Sequence, residues 1–135
     1  MTIEEGLYSY LSGYAGLTAL VGTRIYPLVM PQNVTMPAIR YQRISSSRIY
    51  SHDGPNKLTH PRFQFSCFAE SYATAKAVAN QVRFALAGYQ GTMGGAGGVT
   101  VQFAIVDDEV DLYEDETKLH HVAVDVVVWH EEATG

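Results

Sequence analysis

At 135 residues the chain is the size of one domain and too short for two independent cores, and its 47% apolar and 17% charged residues exclude a disordered chain. No run approaches the roughly 20 apolar residues of a membrane span, and Met1 to Glu5 lacks the basic and apolar regions of a signal peptide. The expectation is therefore a protein made and used inside a cell, with no membrane partner. The net charge of −5 averages two unlike stretches. Arg40, Arg43, Arg48, Lys57 and Arg62 face a single acid, Asp53, whereas Asp107, Asp108, Glu109, Asp111, Glu114, Asp115 and Glu116 occur without a base. Each patch can be a solvated surface, or a field that orients a neighbouring molecule.

In chain order, Thr2 followed by Glu5 matches a capping box, and Ile3, Leu7, Tyr10 and Leu11 recur at helical spacing, so a helix is predicted over Thr2 to Ser12. Leu17 to Val21 predicts a further helical turn ended by Gly22, and Arg24 to Pro27 a short extended piece. Pro31 and Pro37 bracket a loop. Ala38 to Ile44 reads as a strand with Ile39 and Tyr41 on one side. Ser45 to His60, with four serines, Asp53-Gly54-Pro55-Asn56 and two histidines, carries turn chemistry without a hydrophobic period and is predicted to be a long hairpin loop.

From Arg62 to Phe68 the alternation directs Phe63, Phe65 and Cys67 into the core and Gln64 and Ser66 away from it. Cys67 is the single cysteine, which excludes an intrachain disulfide and reads as a small buried hydrophobe. Ser71 can cap a helix whose apolar stripe is Ala75, Val78, Ala79, Val82 and Leu86, with Lys76, Asn80 and Arg83 opposite. Gly88 ends it, and the glycine-rich stretch to Gly98 is expected to be a mobile loop. Val99, Val101, Phe103 and Ile105 then alternate with Thr100, Gln102 and Ala104 as one strand. The acidic run reads as a solvated turn, and a last strand over Leu119 to Trp129 puts Val122, Val124, Val126 and Val128 on one face. The order of helix, strands, helix and strands predicts a single α+β domain, mainly antiparallel sheet with helices packed on one face.

Catalytic and ligand-binding patterns are missing. The glycines from Gly91 to Gly98 lack the Gly-Lys-Ser/Thr ending of a phosphate loop and precede a strand, where that motif needs a helix. The acidic run lacks the alternate spacing and glycine of a calcium loop. His120 and His121 are adjacent on a strand and point to opposite faces, so they do not converge on a metal. No Gly-x-Ser-x-Gly elbow occurs. The expectation is no enzyme activity, no metal and no cofactor.

Several phrases, in order and spacing, resemble the tail-completion proteins of long-tailed phages, also called tail terminators or head-to-tail joining proteins. They are Leu17 to Pro27, Pro31-Gln32, Pro37 to Gln42, Arg62 to Phe65, Ala69, Tyr72 to Ala77, Ala85 to Gly88 and Val124 to Trp129, which together span nearly the whole chain. The resemblance implies a virion protein of the tail, assembled in the host cytoplasm. It would form a homo-oligomeric ring, a hexamer, on the tail tube protein at the head-proximal end, stop tube polymerisation and dock the head connector protein, while DNA passes through without specific binding. Arg24, Tyr26 and Pro27 match the family, and we read them as structural: an arginine anchoring a turn with a tyrosine packed below it.

A ring needs surfaces that meet head to tail, which separated basic and acidic patches could supply. The residues expected to contact partners are Arg48, Ile49, Tyr50 and His52 in the long loop, because an apolar pair beside arginine often anchors an interface, and Asp107, Asp108 and Asp111 in the acidic run. The alternative reading is a small nucleic-acid-binding module using the basic 40–62 hairpin, where Tyr41 and Tyr50 lie among the arginines.

Overall fold

The computed structural model describes residues 1–45, 48–51 and 54–131, with backbone alone for 48–51 and 54–57. Three helices, α1 (Ile3–Ser12), α2 (Ala15–Val21) and α3 (Tyr72–Leu86), lie against one face of a curled sheet. Its strands are β1 (Ile25–Pro27), β2 (Ala38–Ser45), β3 (Arg48–Ser51), β4 (Gly54–Thr59), β5 (Arg62–Ala69), β6 (Gly91–Met93), β7 (Val99–Glu114) and β8 (Leu119–Glu131). The fold class is the predicted one, α+β with helices on one face.

The start of α1 follows directly from two residues. Thr2 Oγ1 accepts from the Glu5 amide at 3.2 Å, and the Glu5 carboxylate accepts from the Thr2 amide at 3.0 Å, so two otherwise orphan donors are satisfied. These bonds also hold the Glu5 carboxyl below its ordinary pKa, with the backbone bond from Thr2 as the main cause. Ser71 caps α3 through the Thr74 amide at 3.2 Å. Beyond α3, Gly88 adopts φ +70 and donates its amide to the Ala104 carbonyl at 2.9 Å, a left-handed turn that sends the chain back along the sheet.

β5 and β8 form the centre of the sheet. β8 is antiparallel to β5, from Arg62 opposite Val127 to Ala69 opposite His120, and antiparallel to β7 on its other side. β2 pairs antiparallel with β5, and β1 adds a short parallel strand at the edge. The face under the helices is the core: Val122, Val124, Val126 and Val128 meet Phe63, Phe65 and Cys67, and Ala75, Val78, Ala79, Val82 and Leu86 of α3 close over them. All of these are fully buried, as the two periodicities predict. Burial drives the Cys67 thiol far above its ordinary pKa, so it stays a neutral packing group. Arg24 anchors its turn as read from sequence, with Nε donating to the Pro37 carbonyl at 2.9 Å and a terminal nitrogen to the Leu20 carbonyl at 3.3 Å.

Four expectations change. The stretch from Ser45 to His60 is not one open loop: β3 and β4 pair antiparallel, and β4 joins the sheet through Leu58 opposite Glu131 and Thr59 opposite His130. The glycine-rich segment holds β6, which pairs with the start of β7 and buries Met93. Gly98 is required there, since a Cβ at that position would run into the Met93 carbonyl oxygen. The acidic run is not a turn up to Glu114 but the second half of β7, and the turn occupies 115–118. Finally, Val99, Val101, Phe103 and Ile105 do not share a face. An irregularity in the ladder between Val101 and Phe103 reverses the alternation, so Val99, Val101 and Ala104 are buried while Phe103 and Ile105 are exposed.

Candidate interaction surfaces

Among the described residues no helix covers the sheet face away from α1, α2 and α3. Residues paired across an antiparallel ladder share a face, so Phe103 with Trp129, Ile105 with Val127, Val110 with Ala123 and Leu112 with His121 all lie on this open side. Phe103, Ile105, Val110 and Leu112 are 40% to 48% exposed. Four large apolar side chains on one face form a surface suited to a protein partner.

The centre of this face is polar and tied together. Arg62 makes ion pairs with Asp107 and with Asp125, the second at 3.4 Å, and Gln64 donates to Asp125 at 3.2 Å. The hydrogen bond with Asp107 is the main cause that raises the Arg62 pKa. Toward the β2 edge, Phe68 carries the Arg40 guanidinium 5.4 Å from its ring centre and stacks with the His121 ring at 4.3 Å. Burial lowers the His121 pKa, nearby Glu114 raises it, and Arg40 lowers it further.

On the helix side, Lys76 of α3 bonds Glu109 and Asp111, each at 2.9 Å, and Tyr72 donates to Asp111 at 2.7 Å. Lys76 first, then Tyr72, holds the Asp111 carboxyl below its ordinary pKa. These contacts fasten the β7–β8 arm to the start of α3. Arg43 also turns to the helix side, where it reaches Glu4 at 3.2 Å and lies over the Phe63 ring. Near by, Tyr8, Tyr26, Tyr41, Ile25 and Pro27 line an open groove of about 500 Å³. Burial pushes the Tyr41 hydroxyl up to about 12. Leu28 and Val29, which follow that groove, are 64% and 72% exposed.

The residues expected to meet partners fall into three groups. Arg48, Ile49 and Tyr50 belong to β3, but their side chains lie outside the described residues, as does His52 entirely. Asp107 and Asp111 sit on opposite sides of β7, engaged by Arg62 and by Lys76 and Tyr72 of the same chain. Asp108 accepts from the Glu109 amide at 2.9 Å and is exposed. The charged segments therefore meet in part within one chain, through Arg62 and Asp107. His120 and His121 do face opposite ways, His120 toward Tyr72 and Tyr113 and His121 toward Phe68. Among the described residues no three His, Cys, Asp or Glu side chains are grouped to hold a metal ion.

The Arg40, Phe68 and His121 cluster was not singled out from sequence. Its signal is present nonetheless: Phe68 occupies the phase of β5 that also holds Gln64 and Ser66, and a large aromatic at a polar-phase position needs a partner on that face.

Among solved structures, the chain is similar to a component of the virion of a native gene transfer agent particle. That match has a TM-score of 0.79 at 21% identity and covers 96% of this chain and 94% of the other. At that identity the likeness shows the fold. Comparison with curated proteins finds no match. The profile of the family described as Tail completion protein gp17 matches residues 5–131, from α1 through the last residue of β8. With nearly every element of the fold inside that match, the chain belongs to the tail completion protein gp17 family.

Proposed function

We propose that the protein forms a ring, sixfold in our reading, at the head-proximal end of a phage-type tail tube, halts tube polymerisation there and offers the docking surface for the head connector. The observation that carries this reading is the family match over residues 5–131. The solved structure it is similar to, a component of the virion of a native gene transfer agent particle, supports a place in a virion. The mechanism is binding, with no bond made or broken, and assembly takes place in the host cytoplasm. The open sheet face, with Phe103 and Ile105 on one side of its polar centre and Val110 and Leu112 on the other, offers apolar side chains to a partner in the assembled state. The β3–β4 ribbon, with Arg48, Ile49, Tyr50 and His52, supplies a second contact, to the tube protein or the connector. Asp108 adds an exposed carboxylate to the first, while Asp107 and Asp111 hold the arm in place for it.

A nucleic-acid-binding role for the 40–62 hairpin has less support, because Arg43 and Arg62 are engaged by carboxylates of the same chain. Duplex DNA is then passed through the ring without specific contact. Removing the gene from a phage genome that carries it, followed by electron microscopy of the lysate, tests the main reading. Headless tails of irregular, excessive length are expected, restored to uniform length by the purified protein. Tails of normal length, joined to heads, would refute it.

A further inference from the structure

Arg40 and His121 stand on the open face, each with a buried polar atom that has no hydrogen-bond partner among the described residues. Arg40 is part-buried, flanking one side of Phe68, and its Nε is fully buried without a hydrogen-bond partner; among the described residues no carboxylate lies within ion-pair distance of it. His121, 8% exposed, has its Nε2 buried and likewise unpartnered. The Arg40 guanidinium lacks an acceptor group, and leaving such a donor unsatisfied in the assembled protein is costly. Glu114, the acid of the same chain close enough to influence His121, is already bonded to Thr117 at 2.9 Å.

The chain also presents the complementary group. The 115–118 turn between β7 and β8 begins with Asp115 and Glu116, both exposed and without an ion pair among the described residues. Among the described residues neither acid pairs with Arg40 of its own chain, and β2 is separated from β7 by β5 and β8, three strand spacings or roughly 14 Å across the sheet.

Resting on the ring reading, we propose that the Arg40, Phe68 and His121 cluster is the socket for the Asp115-Glu116 turn of the neighbouring copy. One copy's carboxylates meet the Arg40 guanidinium of the next, beside the stacked Phe68 and His121 rings. Two different patches then meet in a heterologous contact, the type that closes into a ring when repeated. Val110 and Leu112, beside the socket on the same face, are covered by the incoming hairpin.

Charge reversal tests this in a way that separates it from the ring reading. Arg40→Glu sets acid against acid in a self-assembled ring, and the pair Asp115→Arg with Glu116→Arg sets base against base. Sedimentation velocity at low salt, with tail tubes added in parallel, should show each variant alone shifted from ring to protomer. An equal mixture of the two should recover rings, because each interface then pairs opposite charges. The turn variant alters exposed residues only, so it reads the contact even if Arg40→Glu is poorly folded, and Arg40→Gln gives a milder loss in that case. Wild-type rings with both reversed variants equally assembled would overturn the socket and leave the ring standing. Loss in both variants with no recovery on mixing would also overturn it. Wild-type protein that remains a protomer even on tubes would overturn both.

Discussion

The two faces of β8 carry opposite chemistry on alternate residues of one strand. Toward the helices, Val122, Val124, Val126 and Val128 are wholly buried in an aliphatic and aromatic core. On the other side His121, Ala123, Asp125, Val127 and Trp129 meet ion pairs, ring stacks and the exposed Ile105, Val110 and Leu112. The first face holds the protomer together, since area removed from water is the dominant favourable contribution. The second is stabilised by contacts that contribute little at a surface, and it keeps apolar groups in solvent. One strand thus divides the face that holds the protomer together from the face proposed for assembly.

The largest effect that would break this division is Val82→Asp, which buries an unpaired charge between α3 and the sheet. Loss of the cooperative thermal transition in circular dichroism is expected; a wild-type melting temperature would show that this face is not the core. Next, Phe65→Ala should cost about 3–5 kcal/mol in urea unfolding, while Ile105→Ala on the open face should stay within about 0.5 kcal/mol. Equal costs would erase the contrast.

A smaller effect concerns pH. Burial, aided by Arg40 and opposed by Glu114, holds the folded His121 pKa below its ordinary 6.5. The unfolded chain therefore binds the proton first as pH falls, so this contribution to stability is full above about 6.5 and declines below it until the folded imidazole also titrates. His121→Phe should flatten the urea midpoint between neutral and mildly acidic pH, and an unchanged slope would remove His121 from the account. The smallest expected change in stability comes from replacing residues 48–56 by a short glycine-serine turn. Among the described residues the ribbon pairs with β8 at Leu58 and Thr59, beyond the segment replaced. The melting transition should persist while tail completion is lost, and a shortened protein that still completes tails would show the ribbon to be dispensable.

How much was legible in the sequence follows the same division. The capping box at Thr2 and Glu5, the stripe on α3 and the four valines of β8 are local patterns with one stable solution each, because a helix or strand must bury its apolar side. The family phrases from Leu17 to Trp129 pointed to tail completion by the same residues. The β3–β4 ribbon was not legible, since its serines, glycine and proline have no hydrophobic period and its pairing is set by backbone bonds within the ribbon and to β8. The reversal after Val101 was hidden as well: an irregular ladder is a property of two strands, and the alternation from Val99 to Ile105 is unbroken in the sequence of one.

The amino-acid order by itself determined the helices, β2, β5 and β8 with their buried faces, and the family, for these depend on neighbours within a few residues or on the phrase pattern. Only the tertiary structure decided that Arg62 meets Asp107 in the same chain, that Arg43 turns to the helices while Arg40 turns away, and that Arg40 and His121 flank Phe68. Those outcomes depend on register between strands far apart in the chain, and a one-residue slip moves every side chain to the other face.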